Sequence, residues 1–160
     1  MAGLVSVGEE RMADLEARLR AVEDRLAIID LVSRYGPAVD SLDGQSLAEL
    51  WAEDGAYAFD SVTLEGQEVA QLVDLPGHRA YVEAGCGHIL TSPRVEIDGD
   101  SAVAVNHSML VLRSGESWRV ERLSANRWEL ERGHGGWRVR RRTNALLDGS
   151  RGVPRLFDRR

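Results

Sequence analysis

Apolar positions recur along the early chain with the spacing of an α-helix. Leu15, Leu19, Val22, Leu26, Ile29, Ser33, Gly36 and Asp40 are separated alternately by four and three residues, which keeps them on one helical face. Leu31, Val32 and Val39 widen that face further on. The part before about Glu23 is highly charged and carries only the narrow stripe, which suits a seam against a partner subunit or an extra helix lying on its own domain. Gly36-Pro37 should kink or end the helix. A second helix is predicted from Asp43 to Glu53, with Leu47, Leu50 and Trp51 as its apolar face and Asp54-Gly55 ending it. Ala56–Asp60 and Val62–Leu64 read as short strands. Gly66–Asp74 and Pro76–Ala84 read as short helices broken at Pro76-Gly77.

From Gly87 onward the pattern becomes that of strands. Four long runs, roughly 88–97, 101–113, 116–132 and 136–147, are separated by Asp98-Gly99-Asp100, Ser114-Gly115 and Gly133-His134-Gly135-Gly136. These breaks are short, polar and Gly-containing, as hairpin turns require. Helices followed by an antiparallel meander predict an α+β fold: a cone-shaped barrel of a curved, mostly antiparallel sheet wrapped by the N-terminal helices, with a pocket on the concave face. The chain divides into an N-terminal helical extension (1–22), a main domain (23–147) and a C-terminal tail (148–160), whose Val153, Leu156 and Phe157 are apolar enough to cover something.

Composition narrows the classes. The chain has 160 residues, one domain's worth, with 43% apolar and 29% charged side chains, as in a soluble globular protein. Its longest uncharged stretches, such as Ser101–Leu112, are about a dozen residues, short of the roughly 20 that a membrane span needs. Met1–Gly8 lacks the basic and apolar segments of a signal peptide, so a cytoplasmic location is expected. Cys86 is the sole cysteine, which excludes an intrachain disulfide and a cysteine-rich zinc site. The net charge of −6 is uneven: residues 1–112 hold 7 Arg and 20 acids, residues 113–160 hold 13 Arg and 6 acids, and there is no Lys. The late Arg residues alternate with Glu and apolar residues along apparent strands. That reads as a charged sheet face paired against acids rather than a nucleic-acid surface.

Several polar residues fall where chemistry is expected. Asp40 closes the apolar stripe, and a carboxylate on a core-facing stripe is costly unless it is hydrogen-bonded or used; a cap or turn role is the alternative. In the run Ser101–Arg113, the two-residue period puts Val103, Val105, His107, Met109 and Val111 on one face. That is the more apolar face and is expected to line the pocket. His88 begins the first long strand beside Cys86-Gly87, where small neighbours let a ligand come close. Ser124, Asn126, Trp128 and Leu130 share a face that is expected to point inward, because Arg127, Glu129 and Glu131 occupy the other. His78 and His134 lie in loops and look ordinary. No paired ligand spacing supports a metal at His88, His107 and Asp40. There is no phosphate-cradling Gly loop and no serine nucleophile elbow, and Cys86 has little to mark it as a nucleophile.

Three segments resemble one known group. "IIDLVSRYGPAVDSLDGQSLAELWAED" (Ile28–Asp54), "GHILTSPRVEIDGDSAVAV" (Gly87–Val105) and "GGWRVRRR" (Gly135–Arg142) are similar to the SnoaL-like members of the nuclear transport factor 2-like superfamily, over about residues 23–147. Within it, the polar set is most similar to scytalone dehydratase: Asp40, His88, His107 and the Ser124-Ala125-Asn126 segment match its motif residues. Val39 and Phe59 stand where that family has tyrosines, and the Tyr35…Asp40…His88 spacing resembles bile-acid 7α-dehydratase. The resemblance implies a cofactor-independent, metal-free dehydratase acting on a small cyclic or polyketide-like β-hydroxy carbonyl compound by Asp–His acid–base catalysis. An isomerase or polyketide cyclase using the same pair, and a non-catalytic binding module, are the alternatives. Asp40, His107, His88 and Tyr35 are the expected catalytic residues, His107 being the favoured partner of Asp40. Asn126, Ser124, Phe59, Trp128 and Met109 are the expected substrate contacts. A small molecule is the expected partner, with neither nucleic acid nor membrane. The resemblance also implies a homo-oligomer, with a trimer favoured over a dimer.

Overall fold

A computed structural model describes residues 2–150 and 152–158, with side chains from Val7 onward. The early stripe forms helix α1 (Ala2–Ser33), which breaks at Arg34 and resumes as the short α2 (Tyr35–Asp40). The break falls just ahead of Pro37, whose ring has no N–H to give to the preceding turn. Ile28, Leu31, Val32, Tyr35 and Val39 are buried.

The expected helix 43–53 is shorter than its periodicity suggests. Asp43 caps α3 (Gly44–Ala48) by accepting the Ser46 N–H at 2.9 Å, and Trp51 already begins strand β1 (Trp51–Phe59). Sheet pairing overrides the helical spacing here: Leu50 accepts the Val139 N–H at 2.9 Å, and Trp51 stands in parallel register with Val139. Strand β2 (Val62–Glu65), a 3₁₀ segment (Gly66–Asp74) and α4 (Pro76–Ala84) follow.

The meander then forms a curved, unclosed sheet. The expected strand 88–97 is two strands, β3 (Cys86–Leu90) and β4 (Arg94–Asp98), both paired antiparallel with β5 (Ser101–Ser114). Pro93, which cannot donate to a ladder, lies in the gap. Strands β6 (Ser117–Gly133) and β7 (Gly136–Leu146) complete the order β2-β1-β7-β6-β5-β3, with β1–β7 the parallel exception. The helices cover the concave face, where Trp51, Ala102, Ala104, Trp128, Leu130 and Val139 meet Ile28, Val32, Leu47 and Leu50 in one core.

The face assigned to β5 from its alternation is reversed. Ala102, Ala104, Asn106, Ser108 and Leu110 look inward, while His107 is exposed on the outer face. Both faces are apolar, so alternation does not distinguish them. The small Ala and Ser residues face inward because the helices and the Trp128 ring need that space. Part of the outer face is covered by the C-terminal 3₁₀ turn Val153–Phe157, whose Phe157 ring lies 4.8 Å from His107. Arg94 and Arg127 fix this turn by donating to the carbonyls of Phe157 (2.6 Å) and Leu156 (3.3 Å).

One close approach fixes the helices on the sheet. A Cβ added to Gly36 would lie 2.3 Å from the His88 carbonyl oxygen, so α2 can press against β3 only without a side chain there. Gly36→Ala is therefore expected to cost about 1–3 kcal/mol, the usual penalty of overpacking, read as a lower denaturant midpoint.

Candidate active site

Asp40 closes α2 with its side chain turned toward β3. Its Oδ2 accepts the His88 backbone N–H at 2.9 Å, and its Oδ1 lies 2.6 Å from His88 Nδ1. One carboxylate thus fixes both the main chain and the ring of the same residue. The short contact to Oδ1 makes Nδ1 a protonated nitrogen, so in the neutral ring the lone pair is on Nε2. Both side chains are partly buried. Burial alone would push the Asp40 carboxyl up. The hydrogen bonds from His88 and the Cys86 thiol outweigh it and hold the carboxyl below its ordinary value.

His88 borders a cavity of about 360 Å³ on the concave face. Its walls include Tyr35, Tyr57, Phe59, His78, Met109 and Ser124. His78 opens α4 and holds the end of α2: its Nε2–H donates to the Val39 carbonyl at 2.9 Å. Burial lowers its pKa, which keeps the ring neutral, and it lies 5.5 Å from the His88 ring.

Arg142 also borders this cavity and is only 2% exposed. Its guanidinium carbon lies 3.8 Å from the Tyr35 ring, 4.2 Å from Trp128 and 4.5 Å from Tyr57. Its Nε and Nη2 donate to Asn126 Oδ1 at 3.2 and 2.8 Å, and Nη1 has no partner among the described residues. Among the described residues no carboxylate forms an ion pair with it. The buried cation is offset by aromatic faces and one amide oxygen. Burial pushes the Tyr57 phenol far above its ordinary value, so it keeps its proton. Nearer Asp60, Arg122 donates to that carboxylate at 2.9 and 2.5 Å and to Ser124 Oγ at 3.1 Å.

The sequence-predicted residues divide into two groups. Tyr35, His88, Phe59, Met109 and Ser124 border the cavity, and Asp40 stands directly behind His88. Asn126 and Trp128 face inward but lie a layer deeper. Asn126 is fully buried beneath Arg142, donates to Ser108 Oγ at 2.9 Å and accepts from Asn144 at 2.8 Å. Trp128 packs in the core and donates to Asn106 Oδ1 at 3.1 Å. The expected Asp40–His107 pair is absent: His107 is on the far side of the sheet, beside Phe157, and the carboxylate meets His88 instead.

Arg142 and Tyr57 escaped the sequence reading, and His78, read as an ordinary loop residue, is instead a buried residue of α4 on the cavity wall, because its ring turns inward to hold the end of α2. Strict alternation from Trp137 and Val139 would turn Arg141 inward. The β6–β7 ladder pairs Glu129 with Arg141 but Leu130 with Val139, so Arg140 is an extra residue, and the bulge turns Arg142 into the cavity instead. No local signal in "RVRRR" marks which arginine is buried.

Asp40, Cys86 and His88 offer three ligand atoms within 4.8 Å of one another. The Cys86 thiol is pushed up to about 11 by burial and by Asp40, which keeps it protonated and poorly suited to a metal. Among the described residues, no helix is long and apolar enough to cross a membrane.

Comparison with known proteins agrees with this architecture. An NTF2-like protein with a cystatin-like fold from Novosphingobium aromaticivorans is 44% identical, over 92% of this chain and 97% of its own, with a TM-score of 0.89. A Mycobacterium tuberculosis protein of unknown function is 26% identical over 80% of each chain, with a TM-score of 0.63. A hexachlorocyclohexane dehydrochlorinase from Novosphingobium barchaimii shares the fold at 23% identity, over 81% of this chain and 90% of its own, with a TM-score of 0.69. No curated protein matches the chain. Residues 20–143 match the SnoaL-like domain, and the chain belongs to the SnoaL-like family.

Proposed function

We propose that this protein is a cofactor-independent lyase that removes water from a small β-hydroxy carbonyl compound, with His88 as its acid–base group. The observation that carries the reading is the 2.6 Å Asp40–His88 contact on the wall of a cavity that also holds the buried Arg142. Asp40 holds the ring in the tautomer whose Nε2 accepts a proton and steadies the imidazolium that results. Nε2 takes the proton from the carbon next to the carbonyl, and the freed electron pair passes toward the carbonyl oxygen. As the C=C bond forms, the β-carbon–oxygen bond breaks. The departing hydroxyl takes the proton back from His88 and leaves as water. The imidazole is regenerated and no electron is gained or lost.

Arg142 suits the charge that develops on the carbonyl oxygen. A fixed cation in a sheltered site acts more strongly than in water and needs no reorganisation as the reaction proceeds. The phenols of Tyr35 and Tyr57 lie beside it and orient the carbonyl. Ser124 is the polar contact at the opposite strand. The same fold carries a hexachlorocyclohexane dehydrochlorinase, so a lyase reading is in keeping with the fold.

The test is a panel of cyclic β-hydroxy ketones and aromatic polyketides, followed by product mass. Loss of one water supports dehydration. An unchanged mass with an altered product points to the isomerase or cyclase, and turnover of none, with tight binding, points to a binding module. On a substrate so found, His88→Ala and Asp40→Asn are expected to lower kcat by about 10²–10⁴-fold. His107→Ala is expected to leave kcat near the wild-type value, and a loss comparable to that of His88→Ala would remove the assignment.

Asp40 also carries a pH signature. Its carboxyl is held below the ordinary value of 3.8, so the stability it lends is complete above that value and is lost as pH falls through the folded one. Asp40→Asn is expected to flatten this acid limb in thermal unfolding. Arg142→Met is expected to reduce kcat by about 10²-fold or more. It should leave the melting temperature unchanged or raise it, because a buried cation without an acid partner is replaced by an apolar side chain.

A further inference from the structure

From Val7 to Glu23 every residue of α1 is exposed, so this half of the helix projects from the domain without lying on it. A helix of this length without tertiary contacts is marginal in water. It nevertheless carries Met12, Leu15, Leu19, Val22 and Leu26 in one stripe, each between 54% and 60% exposed. Their spacing of three and four is that of the a and d positions of a heptad, with Met12, Leu19 and Leu26 at a and Leu15 and Val22 at d. Ile29, the next d position, is partly buried against the domain core, so the seam runs up to the body of the protein.

The flanking charges decide what covers the stripe. The g positions are Arg11, Arg18 and Arg25, and the e positions are Glu16, Glu23 and Asp30. In a parallel coiled coil each g residue faces the e residue five positions on in its neighbour. Arg11 then meets Glu16 of the partner subunit, Arg18 meets Glu23 of the partner subunit, and Arg25 meets Asp30 of the partner subunit. An antiparallel pairing would set arginine against arginine and acid against acid. The helix is therefore complementary to a parallel copy of itself. Among the described residues, Arg18 has only a long 3.7 Å contact with Asp14, and both side chains are largely exposed.

We infer that α1 is one strand of a parallel coiled coil whose other strands are the α1 helices of further copies of this chain. Leu at a with β-branched Val22 and Ile29 at d suits more than two strands. The charged e and g positions set orientation and partner choice rather than supply most of the affinity.

Sedimentation equilibrium of the full chain at micromolar concentration is expected to give a mass of two or more chains. Leu19→Glu combined with Val22→Glu is expected to give a monomer whose near-ultraviolet tryptophan signal is retained. A monomeric wild type, or a double variant with the wild-type mass, overturns the inference. Should the double variant lose its tryptophan signal, charge reversal keeps the question decidable. Arg18→Glu with Arg25→Glu is expected to weaken association by about tenfold or more. Adding Glu23→Arg and Asp30→Arg to the same chain is expected to restore it, and failure to weaken or to recover overturns the pairing. Orientation is read by oxidation of single-cysteine additions. Met12→Cys and Leu26→Cys are each expected to cross-link within their own sample, whereas cross-links only in their mixture would mean antiparallel strands and overturn the inference.

Discussion

The candidate site depends on how closely α2 lies on β3. Gly36 allows the helix to touch the His88 main chain, and Asp40, one turn further on, then reaches both the backbone N–H and the ring of that residue. Hydrogen bonds to an ionised carboxylate are stronger than neutral ones, and two directed at one residue fix its position as well as its tautomer. His78 adds a third tie by donating to the Val39 carbonyl, so the end of α2 is held from β3 on one side and from α4 on another. The imidazole is therefore positioned by elements that also form the core, not by a mobile loop.

Much of this was legible in the sequence, and the failures have physical causes. Asp40 stood out because a carboxylate ended an otherwise apolar stripe, and His88 because a histidine followed small residues at a strand start. The inward face of β6 was legible as well, since Arg127, Glu129 and Glu131 on the opposite face argue against the alternative with Leu123 and Ala125 inward. His107 was misread because β5 is apolar on both sides. One side is buried by helices and the other partly by the C-terminal turn, so alternation specifies a period but not a direction. Trp51 was misread because its helical spacing from Leu47 coexists with a stronger claim, pairing beside Val139. Arg142 was invisible because a bulge at Arg140 shifts the phase of β7, and a phase shift arises from the partner strand rather than from local composition.

Burying Arg142 is the costly feature of the design. A guanidinium removed from water ordinarily requires a carboxylate, yet here three aromatic faces and the Asn126 amide oxygen take its place. A carboxylate at that point would cancel the positive potential at the cavity. The neutral support solvates the cation partially and leaves its field directed at the space where Tyr35, Tyr57 and His88 converge. Asn126 is the hinge of this arrangement: its oxygen takes bonds from Arg142 and Asn144 while its nitrogen donates to Ser108, so the amide orientation is fixed by the network. Replacing it would disturb the cation from beneath, although Asn126 does not itself border the cavity.

The apolar stripe that opens the sequence is continuous, but the fold divides it. Up to Leu26 it is exposed along a projecting helix; from Ile28 the same helix turns apolar groups into the core, and Asp40 ends the series on the wall behind the cavity. Asp24 marks the division. It accepts two bonds from Arg132 at 2.6 Å and one from the Trp137 indole at 3.1 Å, which anchors α1 to the sheet where its tertiary contacts begin. The Asp40–His88 pair, Arg142 and their supports all lie within one chain beyond that anchor. Association through the outer half would therefore require none of these residues.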